Sequence, residues 1–109
     1  MTFRPGEIVL IRIDFHQTPG GKLRPAVVLL DSADDDFVAA PITSRLRVSD
    51  FDVPIHYWRE AGLNIASTIR VHMLTVLAKD EVAGRLGELA GADRTALTEV
   101  LRRAFSLDR

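Results

Sequence analysis

The apolar residues of this chain fall into short β-branched runs broken by turn residues, and only the C-terminal segment carries a helical period. Strands arriving in succession, with one helix to close them, build an antiparallel sheet rather than an alternating parallel one. Glu7 to Phe15 sets Val9, Ile11, Ile13 and Phe15 on one face and Arg12 and Asp14 on the other, which reads as a strand. His16 to Leu23 holds Pro19-Gly20-Gly21 and reads as a mobile, turn-rich loop, followed by a second strand from Pro25 to Leu30. After the acidic turn Asp34-Asp35-Asp36, Phe37 to Ala40 makes a third strand that stops at Pro41. These three predict an antiparallel meander.

Phe51 to Ile55 alternates weakly and contains Pro54, which cannot donate to a ladder, so it reads as an edge strand. Trp58 to Gly62 is a short turn or helical piece, and Ala66 to Leu77 is a β-prone run that makes one bent strand or two consecutive ones. Asp93 is placed to cap a helix in which Leu97, Val100, Leu101, Ala104 and Phe105 recur on one face. The expected class is α+β, a small antiparallel barrel with short helices and a C-terminal amphipathic helix covering one face.

With 109 residues, 47% of them apolar and 27% charged, the chain can bury one core and not two, which predicts a single domain over 1–109. Fourteen Lys and Arg against fifteen Asp and Glu leave a net charge of -1, so any nucleic acid must be held by a local patch rather than by an overall positive field. The absence of cysteine excludes disulfides and thiolate zinc sites. The N-terminus lacks a signal-peptide pattern and no apolar stretch is long enough to span a bilayer, so a cytoplasmic protein is expected.

Three polar clusters interrupt the strand pattern: Lys22-Leu23-Arg24, Thr43-Ser44-Arg45, and Arg70 with His72. In an extended strand Arg70 and His72 project from one face, a guanidinium beside an imidazole. Such a pair suits phosphate chemistry, since Arg can hold a phosphodiester through two parallel hydrogen bonds and His can exchange protons near neutral pH. The plainer alternatives are a solvated arginine, a structural histidine, and hydroxyls at Thr43 and Ser44 that bond nearby backbone amides. Asp34-Asp35-Asp36 lacks the spacing of a cation loop and reads as a solvated turn. His56, Tyr57 and Trp58 could stack on bases, but in a chain with 6% aromatic residues they read first as packing residues.

Taken together, Gly6-Glu7-Ile8-Val9, Arg24-Pro25-Ala26-Val27-Val28, Ala40-Pro41-Ile42-Thr43-Ser44, Gly62-Leu63 with Ser67, and Gly84-Arg85-Leu86-Gly87-Glu88-Leu89 resemble the MazF/PemK family of toxins in order and spacing over nearly the whole chain. The resemblance implies an SH3-like barrel that dimerises, cuts single-stranded RNA without a metal or other cofactor to leave a cyclic phosphate and a free 5′-hydroxyl, and is silenced by an antitoxin protein. By position, Arg24 matches the family's loop arginine, Thr43 its turn hydroxyl and Arg70 a third basic position. His72 and Met73 depart from the Asp-Gln that many relatives carry there, which opens the acid/base assignment. His72 is the proton-transfer candidate and His16 its reserve. His16, Lys22, Ser44, Arg45 and Ser67 are the expected RNA contacts, with Gln17 to Lys22 a candidate gate. Two rivals share the fold: a gyrase-binding toxin similar to CcdB, whose terminal tryptophan motif Ser106-Leu107-Asp108-Arg109 lacks, and a binding module that does not cut.

Overall fold

The computed structural model describes residues 1–15 and 18–108, with side chains defined outside 13–21. Seven strands form one antiparallel sheet: β1 Glu7–Phe15, β2 Thr18–Leu30, β3 Asp36–Thr43, β4 Asp52–Pro54, β5 Thr68–Arg70, β6 Thr75–Ala78 and β7 Val82–Glu88, followed by helix α1, Gly91–Ala104. The hydrogen-bonded order is β4-β5-β3-β2-β1-β7, and β6 pairs with β3 off that path. The expected α+β class, the β1-β2-β3 meander and the edge position of the Pro54 strand are all present.

Several local expectations give way to tertiary pairing. Thr18 to Leu23 is strand rather than loop, because β1 continues to Phe15 and offers partners down to Thr18. β3 takes up β2 only from Ala26 onward, so this arm pairs with β1 alone and its proline and glycines interrupt no second ladder. His16 and Gln17 lie outside the described residues, so the reserve role of His16 is not placed. Pro41 does not end β3, which runs on to Thr43. It sits where one edge of β3 changes partner, from β6 across Asp36–Ala39 to β5 across Ile42 and Thr43, a position where a missing donor interrupts little. The run expected over Ala66 to Leu77 is two strands separated by a 3-10 turn, Val71–Met73. β7, whose Gly84 and Gly87 weaken its strand pattern, returns to pair with β1.

The sheet is apolar on both faces. On one side Ile8, Val27, Ala40, Ile42, Val53, Ile69 and Val71 pack with Leu97 of α1, supported by Ala96, Val100 and Leu101. On the other, Phe3, Val9, Ile11, Ala26, Val28, Phe37 and Ala39 form a second cluster. The predicted helix therefore buries its Leu97 stripe as expected, but Phe105 lies past the last turn and is exposed. Asp93 does not cap α1. The cap is Ala90, and Asp93 sits in the first turn, fully buried, accepting hydrogen bonds from the backbone N–H groups of His56 (3.0 Å) and Tyr57 (2.9 Å). One carboxylate thus pins the start of the 56–62 turn to the helix.

A second buried carboxylate fastens the N-terminus. Asp31 accepts from Phe3 N–H at 2.7 Å and Ala33 N–H at 2.8 Å, and pairs with Lys79 Nζ at 3.0 Å. The Phe3 amide is the main cause of its lowered pKa, from the ordinary 3.8 to about 2; burial opposes the shift, and the Ala33 amide and Lys79 add to it. Since the folded value lies below the unfolded one, the stabilisation from Asp31 is complete above about pH 3.8 and is lost as pH falls through 2. The stability difference between wild type and Asp31→Asn, followed by denaturant unfolding, is expected to shrink over that window and stay level above it. A difference of constant size down to pH 2 would refute this account.

Candidate functional site

The alternation of β3, β4 and β5 sorts the candidate residues by face. Val53, Ile69 and Ile42 form one cross-strand row directed into the helix-side core. The flanking rows, Pro54-Thr68-Thr43 and Asp52-Arg70, therefore project from the opposite face. Arg24 and Thr43 each lie two residues beyond the Ala26↔Pro41 pair on neighbouring strands, so the same alternation directs both to the Thr43 and Arg70 face. Arg24 is exposed and edges a small apolar recess formed with Pro25, Ala26, Pro41, Thr75 and Leu77. Lys22, also exposed, lies two residues further out along β2.

Thr43 Oγ1 accepts a hydrogen bond from Arg45 N–H at 3.1 Å, the turn-stabilising bond expected of a hydroxyl there. That contact uses an oxygen lone pair and leaves the hydroxyl proton to donate. Next to Thr43 an open groove of about 340 Å³ is lined by Ser44, Arg45, Pro54, His56, Trp58, Ser67 and Thr68, among others. Three of the expected RNA contacts, Ser44, Arg45 and Ser67, thus converge. Ser67 is 8% exposed and spends its proton on the Ile65 carbonyl at 2.8 Å, so toward a ligand it can only accept.

His56 and Trp58, read from sequence as packing residues, form part of the same groove: His56 is exposed, Trp58 half-buried, and the Arg59 guanidinium stacks 4.8 Å from the Trp58 ring centre. A local pattern could not find them, because the buried carboxylate that positions their turn is Asp93, 37 residues from His56. An aromatic carrying a stacked cation, beside hydroxyls and Arg45, offers what an unpaired base and a phosphate need.

Arg70 and His72 are neighbours, though not as two residues of an extended strand. His72 lies in the 3-10 turn, and Arg70 Nη2 approaches His72 Nε2 at 3.2 Å. Arg70 Nε is bound to Asp52 Oδ1 at 3.0 Å, with the Asp52 side chain 2% exposed. Burial works against the Asp52 charge, but the nearby Ser49 hydroxyl and the Arg70 guanidinium outweigh it and lower the pKa. Another concavity of about 450 Å³ lies between the N-terminus and β7, lined by Thr2, Arg4, Glu7, Arg85 and Glu88. There Arg85 is paired with Glu7 at 3.5 Å, and the concavity holds none of the candidate residues.

Among the described residues no helix is long and apolar enough to cross a membrane. No curated protein sequence matches the chain. Among solved structures, it is similar to the Mycobacterium tuberculosis toxin MazF-mt6, with 26% identity and a TM-score of 0.73, over 97% of this chain and 100% of that one. A mycobacterial endoribonuclease in complex with its cognate antitoxin superposes with a TM-score of 0.75 at 18% identity, over 96% of each chain. A MazE-MazF structure from Deinococcus radiodurans gives a TM-score of 0.79 at 16% identity, over 99% of each chain. The last two establish likeness of fold. Residues 4–105 match the family model of PemK-like, MazF-like toxins of type II toxin-antitoxin systems, and the chain belongs to that family.

Proposed function

We propose that this protein is a metal-independent endoribonuclease that cuts single-stranded RNA at specific sequences, acts as a homodimer of one-domain chains in the cytoplasm, and is inhibited by a cognate antitoxin. The observation that carries the reading is the placement of Arg24 and Thr43 on one face, beside a groove bearing Arg45, Ser44 and Trp58. Family membership supports it.

In the proposed reaction the 2′-oxygen attacks phosphorus, the bond to the 5′-oxygen breaks, a base takes the 2′ proton and an acid supplies one to the leaving oxygen. The products are a 2′,3′-cyclic phosphate and a 5′-hydroxyl. Arg24 binds the scissile phosphate and stabilises the charge that grows on its oxygens, while Thr43 donates its free proton to the phosphate or orients Arg24. Arg70 adds a second cation and His72 exchanges protons. Lys22, Ser44, Arg45 and Ser67 hold the flanking RNA. An acidic, disordered antitoxin segment would compete for the same basic groove and cover Arg24.

Purified protein incubated with long mixed-sequence RNA in EDTA is expected to make discrete cuts with cyclic-phosphate ends. Arg24→Ala should slow cutting by roughly 10²- to 10³-fold, the usual effect of removing one donor to a developing oxyanion. Absence of cutting across varied RNAs would overturn the reading and leave a binding module or, if supercoiling were inhibited, a gyrase-directed toxin.

A further inference from the structure

Asp52 has no part in the reaction above, yet its surroundings are unlike those of an ordinary surface ion pair. Its side chain is 2% exposed, one oxygen grips Arg70 Nε, and the other, Oδ2, is buried without a hydrogen-bond partner among the described residues. The carboxylate is placed by its strand together with Arg70 and the nearby Ser49 hydroxyl, which leaves Oδ2 without a bond of its own. The register pairs Asp52 directly with Arg70 across β4 and β5. The guanidinium is thereby held through Nε, and its Nη2 is directed to His72 Nε2 at 3.2 Å.

The chemistry of that contact has one solution. A guanidinium only donates, so Nε2 must accept, and the imidazole then carries its proton on Nδ1. We propose that Asp52 is a positioning residue: acting through Arg70, it fixes His72 as the Nδ1–H tautomer with Nε2 engaged. Resting on the endoribonuclease reading, the consequence is that His72 meets RNA with a donor, Nδ1–H. Nε2 becomes a proton acceptor only when Arg70 Nη2 transfers its hydrogen bond to a phosphate oxygen, which ties the base to the presence of substrate. The Phe51 ring lies tilted at 50° to His72 with ring centres 6.2 Å apart, and is itself covered by Arg103 of α1 at 5.9 Å, which limits the ring's alternatives.

The tautomer is measurable without RNA, from two-bond proton–nitrogen correlations of 15N-labelled protein, with His72 assigned by its loss in His72→Gln. Wild type is expected to show Nδ1–H, and both Asp52→Asn and Arg70→Met should move His72 toward Nε2–H, the form a free imidazole favours. Arg70→Met has no donor to offer Nε2, so it tests the Arg70 contact if Asp52→Asn fails to fold. Nε2–H in wild type, or an unchanged tautomer in the folded variants, would overturn the proposal. RNA cleavage by folded Asp52→Asn should fall on the order of tenfold or more through misplacement of Arg70 and His72. A wild type that cuts no RNA would defeat the endoribonuclease reading and leave the tautomer result standing.

Discussion

Gly62→Ala is expected to destabilise the protein by about 3 kcal/mol or more, enough to cost a large part of the roughly 5–15 kcal/mol that holds a domain of this kind together. Two independent terms add. Gly62 has φ +94°, where a Cβ costs roughly 1–2 kcal/mol. That Cβ would also lie 2.2 Å from the Leu86 carbonyl oxygen, a backbone atom of β7 that cannot swing aside. Relieving the overlap means parting the 56–62 turn from the strand, at about 1–3 kcal/mol for an overpacked contact. Gly87 faces the same junction from the other side, with a Cβ position 2.4 Å from Ala61 O, so Gly87→Ala should also destabilise, by the clash alone. Gly84, three residues earlier on β7, has open space around its Cβ position, and Gly84→Ala should change stability by less than about 0.5 kcal/mol. Urea unfolding of the three variants tests the contrast. Equal midpoints for Gly62→Ala and Gly84→Ala would show that the turn does not pack against β7 this closely.

Asp93→Ala should lose a comparable amount, roughly 3 kcal/mol, from two hydrogen bonds to a charged acceptor at about 1.5 kcal/mol each at the low end. The carboxylate is fully buried, so its removal also leaves the His56 and Tyr57 amides without their partner. Its place in the first turn of α1 adds the favourable field of a helix N-terminus, lost in the same variant. For a chain of this size the loss corresponds to a fall in Tm of roughly 10–20 °C. Asp93→Asn keeps one acceptor oxygen and should recover about half. Calorimetry of both variants provides the check, and an Asn variant no better than Ala would point to the charge rather than the hydrogen bonds. Because Asp93 orients the turn that carries His56 and Trp58, the surviving folded fraction should also bind RNA more weakly if the groove is the RNA site.

The two predictions concern the same junction, where the 56–62 turn meets β7 on one side and α1 on the other. Nothing in the local sequence announces it. Gly62 reads as a turn residue and Asp93 as a cap, and both readings are reasonable for their neighbours in the chain. The close approach that gives them a shared role is set by contacts between segments far apart in sequence.

What the sequence determined by itself was whatever depends on near neighbours. Alternation placed β1 and the edge strand with Pro54, helical spacing placed the Leu97 stripe of α1, and the Arg-Pro and Pro-Ile-Thr-Ser stretches marked Arg24 and Thr43. Ser44, Arg45 and Ser67 were legible one by one as candidate contacts, but their convergence on one groove belongs to the folded chain. What tertiary structure decided was every feature whose partner is distant. Pairing with β1 overrode the glycines and proline after Thr18, and the change of partner at Pro41 let β3 continue to Thr43. A 3-10 turn brought His72 to Arg70 by a route that strand alternation does not describe. Asp93, Asp52, His56 and Trp58 took roles invisible along the chain for one reason: buried carboxylates must find donors, and the donors that remain after local hydrogen bonds form belong to other segments.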